Sequence, residues 1–299
     1  SDNATTQIAA LTSLQALQPA SQILRRVPGL SPGGGGNEFL ADLQWWTATF
    51  NTLPIGDNEC RWIQILHRPE NAPLLTRAIA RHKILSKESD YHPAPRFIAT
   101  LAYIDAAALA LPREQLLADL HAAIDHLPHI HRPPQYPNSL DDLPDTLAAN
   151  ESKLSRADLL TLRLLLQTLP SALPTLYSQA LDDLADTTSE HGGLLTLNNI
   201  NNPVVTPTLY PPAILENDLT YLTPDNLLRD TPLGLAQYHF HFQQIHNEDR
   251  AGPGPGDLAY IRSARCNALV ITSTNTRQIN IDFYTPDAAL IDLGTYLLP

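Results

Sequence analysis

Residues 237–241 read Gln-Tyr-His-Phe-His. Side-chain character alternates there with the period of an extended strand, in which residues i and i+2 point to one face. His239 and His241 therefore share a face, with Tyr238 and Phe240 on the other. Further short apolar runs lie on either side. Gly193–Leu197 precedes the histidines, and Leu269–Thr272, Gln278–Tyr284 and Leu290–Leu293 follow them. Their length and β-branched content predict strands.

Before residue 186 the texture is different. Glu38–Phe50 predicts a helix with Phe39, Leu43, Trp46 and Phe50 on one face, and Trp45 and Trp46 as anchors. Arg61–His67 (RWIQILH) alternates like an isolated strand. Residues 71–83, 95–110 and 112–127 predict helices, the last opening at Pro112. A short helix over Ile8–Leu17 and a flexible Gly-rich loop over 31–37 come earlier. That loop lacks the Gly-Lys-Ser/Thr ending of a phosphate-binding loop. Ser155 and Asp158 have capping-box spacing and open a leucine-rich helix. Pro170 is expected to end it, and Pro174 to start another. The Pro-rich stretch from His126 to Asp145 reads as a linker or long surface loop. The expected fold is α+β: a mostly helical region over 1–150, then a helix-flanked mixed β-sheet domain over 151–299.

The chain has 299 residues, 43% hydrophobic and 17% charged, so it can bury a core. The net charge is −12 and unevenly spread. Up to Leu169 there are 14 basic and 17 acidic residues; beyond it there are 5 and 14, with no Lys. Such a surface repels phosphate backbones and argues against a nucleic-acid partner. No run approaches the ~20 apolar residues of a membrane helix, so no membrane partner is expected. No signal-peptide pattern is visible, and a cytoplasmic location is the expectation. Cys60 and Cys266 are expected to be buried free thiols.

The histidine pair carries the chemistry. Two imidazoles on one strand face can reach one ion, and imidazole nitrogen suits zinc. Asp257 follows Gly252-Pro-Gly-Pro-Gly256 at a predicted helix start and supplies a third, oxygen ligand. Two His and one carboxylate leave a position for water, the pattern of a catalytic zinc site. Such a site needs a base. Glu190, in Ser189-Glu-His-Gly-Gly-Leu-Leu195, stands between a helix and a strand, and its two glycines permit close backbone approach.

Over residues 170–299 this ordered set resembles the JAB/MPN family, the JAMM metalloproteases. The family has a Glu shortly before a Gly and an apolar strand, then His-x-His-Pro, then Ser-x-x-Asp at a helix start. Glu190 with Gly192–Leu195, His239 with His241, and Pro253 with Asp257 match those elements. The resemblance implies a cytidine-deaminase-like fold, a Zn2+ cofactor, Glu190 as general base, and a peptide or protein substrate cut at a peptide or isopeptide bond. Three departures stand out. Phe242 replaces the Pro after the second His, and the gap from His241 to Asp257 is about five residues longer than usual. Gly254 replaces the Ser whose side chain stabilises the oxyanion in the family. The alternative is a catalytically inactive scaffold that binds protein; if the chain is active, Tyr238, Asn247 or Ser263 are candidate replacement donors.

Other polar residues read more plainly. His121, His126, His129 and His131 are surface histidines of the Pro-rich stretch, His191 faces solvent, and His246 sits on a loop. Asp282 and Asp292 are strand or turn residues, either of which can orient a ligand histidine.

Overall fold

The computed structural model describes residues 38–130, 144–214 and 218–297. The predicted Ile8–Leu17 helix, the Gly-rich loop, His131 and most of the Pro-rich stretch lie outside the described residues. In chain order come α1 (Glu38–Phe50), α2 (Gly56–Leu66), α3 (Ala72–Leu85), α4 (Pro95–Leu101), α5 (Ala106–Ala110), α6 (Arg113–Ile124), α7 (Leu147–Asn150) and α8 (Arg156–Ala185). Then follow β1 (Gly192–Asn198), β2 (Val204–Tyr210), α9 (Asp225–Asp230), β3 (Gly234–His241), α10 (Pro255–Ala264), β4 (Ala268–Asn275), β5 (Gln278–Tyr284) and β6 (Leu290–Leu297). The protein is mixed α+β, as the sequence predicts.

Three expectations need correction. Arg61–His67 is not a strand; Arg61–Leu66 is the second half of α2, and His67 is its C-cap. Helix α2 lies between two apolar clusters. Trp62 and Ile65 enter one, and Ile63 and Leu66 enter the other. A helix buried on two sides places apolar residues at spacings that imitate strand alternation. The second correction is α8, which runs unbroken for 30 residues through Pro170 and Pro174. An interior Pro costs about 3 kcal/mol. Eight leucines of α8 are buried, each contributing about 1.5–3 kcal/mol, so packing outweighs both prolines. Its start is as predicted. Ser155 N–H donates to Asp158 Oδ2 (2.9 Å), and Asp158 N–H donates to Ser155 Oγ (3.2 Å). Among the described residues, α8 is also the one helix long and apolar enough to cross a membrane. Within the fold it is the core helix, with 61% of its most apolar stretch buried. The helix expected over 95–110 is two, α4 and α5, because Asp105 turns to cap α5 by accepting the Ala108 N–H (2.7 Å).

The sheet has six strands in the order β2-β1-β3-β4-β5-β6. Only β3 and β4 pair in parallel, and α10 makes the crossover between them. Register fixes the two faces. Gln237, His239 and His241 lie beside Ala268, Val270 and Thr272, which lie beside Tyr284, Asp282 and Asn280. This face packs on α10 and α2 through Leu258, Ile261, Trp62 and Ile65. The opposite face presents Tyr238, Phe240, Leu269, Ile271, Ile281 and Phe283 to a core shared with α8. That core is continuous from Trp46 to Leu293 and takes in residues on both sides of residue 150.

The outer edge of β6 is covered rather than open. Asp292 N–H donates to Asp145 O (2.7 Å), and Asn150 Nδ2 donates to Leu290 O (2.7 Å). Gly294 has φ +96°, and a Cβ there would stand 2.6 Å from Leu127 Cβ. Cys60 and Cys266 are buried and unbonded, as expected.

Three stability outcomes follow from this packing. Ser155→Ala removes the cap of α8 and is expected to cost about 1 kcal/mol in urea denaturation. Gly294→Ala meets both an unfavourable φ and Leu127, and should cost more than Ser155→Ala in the same assay. Burial holds His82 below its ordinary pKa of 6.5, with Lys83 adding to the effect. On acidification the unfolded chain takes up that proton first. The His82 contribution is therefore complete above pH 6.5 and is lost as pH falls through the folded pKa. Denaturation midpoints above and below pH 6.5 should converge in His82→Phe.

Candidate metal centre

Strand β3 is buried along its whole length and delivers His239 and His241 at its C-terminal end. Their Nε2 atoms are 3.3 Å apart. His241 is oriented by its other nitrogen: Nδ1 donates to the Arg250 carbonyl oxygen at 2.6 Å. With that proton placed on Nδ1, the Nε2 lone pair faces His239. The loop between His241 and Asp257 thus returns to orient a histidine.

Asp257 occupies the first turn of α10 behind Pro255. Its Oδ2 accepts the Gly254 N–H (2.8 Å), and its Oδ1 lies 3.5 Å from His239 Nε2. One oxygen serves the helix start and the other faces the histidines. A carboxylate is favoured there by the exposed N–H groups of the helix.

Glu190 reaches the same place from before β1. The segment is held by His191 N–H on Asp183 Oδ1 and by Phe240 N–H on His191 O (3.1 Å). Glycine is required where β1 begins. A Cβ on Gly193 would lie 2.1 Å from Thr208 O and 2.7 Å from Tyr238 Oη, and one on Gly192 would lie 2.7 Å from Tyr238 O. Glu190 Oε1 is 4.0 Å from His241 Nε2. Glu190, His239 and His241 offer ligand atoms all within 4.8 Å of one another. All four predicted site residues therefore meet along one wall of a cleft of about 770 Å³.

Electrostatics tie the four together. Burial opposes the His239 imidazolium, but Asp257, Glu190 and Asp183 outweigh it and raise its pKa to about 9. Burial and the neighbouring His239 charge lower His241 to about 4. Burial raises Glu190 to about 7, with Asp257 and Asp218 adding to the shift. Burial also works against Asp257 ionisation, yet the two histidines and the Gly254 N–H hold its carboxyl well below the usual range. One proton on His239 thus sits among a carboxylate and a neutral imidazole, where a cation would replace it.

Gln243, which sequence reasoning missed, and Asn247, which it offered as an oxyanion donor instead, brace Glu190. Gln243 Nε2 donates to Glu190 Oε1 (2.8 Å), and Asn247 Nδ2 donates to Gln243 Oε1 (2.8 Å). Asn247 thereby fixes which end of the Gln243 amide faces the glutamate. Nothing short of the three-dimensional loop path signals this pair. The Arg250 carbonyl is a second omission, and a backbone group carries no sequence signature.

Other expectations resolve differently. His191 is not solvent-facing: it is partly buried, with Nε2 3.0 Å from Asp186 Oδ2. His246 is exposed on its loop, as expected. Asp292 binds Asn280 (2.8 Å) and the Gly294 N–H (2.7 Å), while the His241 partner is the Arg250 carbonyl. Asp282 is buried in β5, opposite Val270 and Asp292. His129 is half-exposed, 3.0 Å from Asp292 Oδ2. His121 is partly exposed between Asp125 and Glu151. No protein-family model matches the chain, and no curated protein or solved structure matches it.

Gly193→Ala tests the close approach that seats Glu190. The new methyl must displace backbone, so a loss of roughly 1–3 kcal/mol is expected, measured as a lower denaturation midpoint.

Proposed function

We propose that the chain is a zinc-dependent hydrolase that cleaves a peptide or isopeptide bond, with His239, His241 and Asp257 as ligands and Glu190 as general base. One observation carries this division of roles. Two ligands about 2.0–2.1 Å from a tetrahedral zinc stand roughly 3.3 Å apart. The His239–His241 and His239–Asp257 separations, 3.3 and 3.5 Å, are of that size. Glu190 also stands within 4.8 Å of both histidines, 4.0 Å from His241, but its Oε1 already accepts from Gln243. That is a position for handling the proton of a water rather than for ligation. The chain order of Glu190, the His-x-His strand, and Asp257 on the crossover helix to a parallel strand supports the finer reading of a JAB/MPN-type fold.

A zinc ion held by His239, His241 and Asp257 would supply a Lewis acid for the scissile carbonyl and an acidified water, with a pKa of about 7. Glu190 would accept a proton from the attacking water and pass it to the leaving amine. His241, fixed by Arg250 O, and Asp257, fixed by Gly254 N–H, hold position without rearrangement. The cleft is lined by the loop at Leu219–Thr223 and the start of α10.

Gly254 favours a second reading, an inactive scaffold of the same fold that binds protein, because glycine offers no side-chain donor.

Purified protein should hold about one zinc per chain, and His239→Ala should lose it. A wild-type preparation without metal at neutral pH would sink the ligand assignment. Glu190→Gln should keep the zinc and lose about 10²–10⁴ in kcat on isopeptide and peptide libraries. Zinc-loaded wild type that cleaves neither library would favour the scaffold.

A further inference from the structure

Hydrolysis of an acyl bond needs a donor for the oxygen that becomes negative, and Gly254 cannot supply one from a side chain. The three replacements suggested by sequence are placed elsewhere. Tyr238 Oη donates to Gln179 (2.6 Å), Asn247 Nδ2 is engaged by His241 O (3.0 Å) and Gln243, and Ser263 is exposed on α10. Two other tyrosines of the cleft are committed as well. Tyr221 Oη donates to Tyr210 O (3.0 Å), and Tyr260 Oη donates to Gln237 Oε1 (2.9 Å).

Tyr284 is different. It lines the cleft, only 1% of it is exposed, and its hydroxyl makes no hydrogen bond among the described residues. It stands on the sheet face that carries His239 and His241, beside Ala268, which in turn pairs with Gln237 of β3. The charges of Asp257 and Glu190 both act on its phenol. Tyr284 thus shares the cleft with both a ligand and the base.

We propose that Tyr284 is a catalytic residue whose hydroxyl donates a hydrogen bond to the oxyanion of the tetrahedral intermediate. This rests on the hydrolase reading above. As the water oxygen bonds to the carbonyl carbon, the C=O π pair moves onto the carbonyl oxygen. Tyr284 O–H donates to that oxygen and keeps its proton. The pair returns when the C–N bond breaks, and the proton held by Glu190 goes to the leaving nitrogen. Burial, together with the charges of Asp257 and Glu190, holds the phenol well above its ordinary pKa, so it acts as a donor.

The test is Tyr284→Phe, which keeps the ring. Expected are wild-type zinc content, an unchanged KM, a kcat lower by about 10²–10³, and roughly tenfold weaker binding of acetohydroxamate, a hydroxamate probe for the oxyanion. Unchanged kcat together with unchanged acetohydroxamate binding overturns the role. A second reading needs no loss of the hydroxyl. With fluorotyrosine at position 284, the fluorine resonance should shift on adding acetohydroxamate to the zinc-loaded protein, and a fixed resonance overturns the role. A wild type that takes up no zinc overturns the metal reading itself, and this role falls with it. Zinc-loaded wild type that binds acetohydroxamate with the Phe variant's affinity rejects Tyr284 alone.

Discussion

Gly193 has no room for a side chain, and the site is arranged around that fact. The carbonyl oxygen of Thr208 and the Tyr238 hydroxyl close in on it from the two neighbouring strands. Strand β1 can therefore sit deep between β2 and β3, in register from Gly192 opposite His239. The residue two positions before Gly192 then comes level with the end of β3. Glu190 meets the histidines because of this seating; no side chain of its own pulls it there until Gln243 receives it.

The four polar groups come together from three separate chain segments, and three of them have a second contact outside the cluster. Asp257 holds the Gly254 N–H, His241 holds the Arg250 carbonyl, and Glu190 accepts from Gln243. Those outer contacts fix direction as well as position, which is what a preorganised site requires. The loop from Phe242 to Gly254 provides most of them. Gln243, Asn247 and Arg250 all belong to it.

Much of the centre was legible because strand periodicity is local. The same-face placement of His239 and His241 follows from a period of two, and Asp257 at a helix start follows from the Gly/Pro run before it. Five of the six sheet strands were readable for the same reason, while β2, Val204–Tyr210, was not. What could not be read depends on burial from more than one side. Arg61–Leu66 alternates because α2 touches two clusters, and Pro170 stays helical because eight leucines around it are buried. Tyr284, Gln243 and Asn247 gain their positions from register and loop path. The sequence shows only a tyrosine at a strand end and two amides after a histidine.

Helix α2 belongs to both apolar clusters, so it has little solvent-facing surface to spare. Trp62 and Ile65 lie against the sheet face that carries the histidines, while Ile63 and Leu66 join the core around α8. Such an element behaves as a keystone. Neither layer can loosen without taking contacts from the other, so the polar centre and the N-terminal helices share one cooperative unit. A conservative change in α2, far in sequence from any ligand, would then be felt as a shift in how firmly α10 carries Asp257.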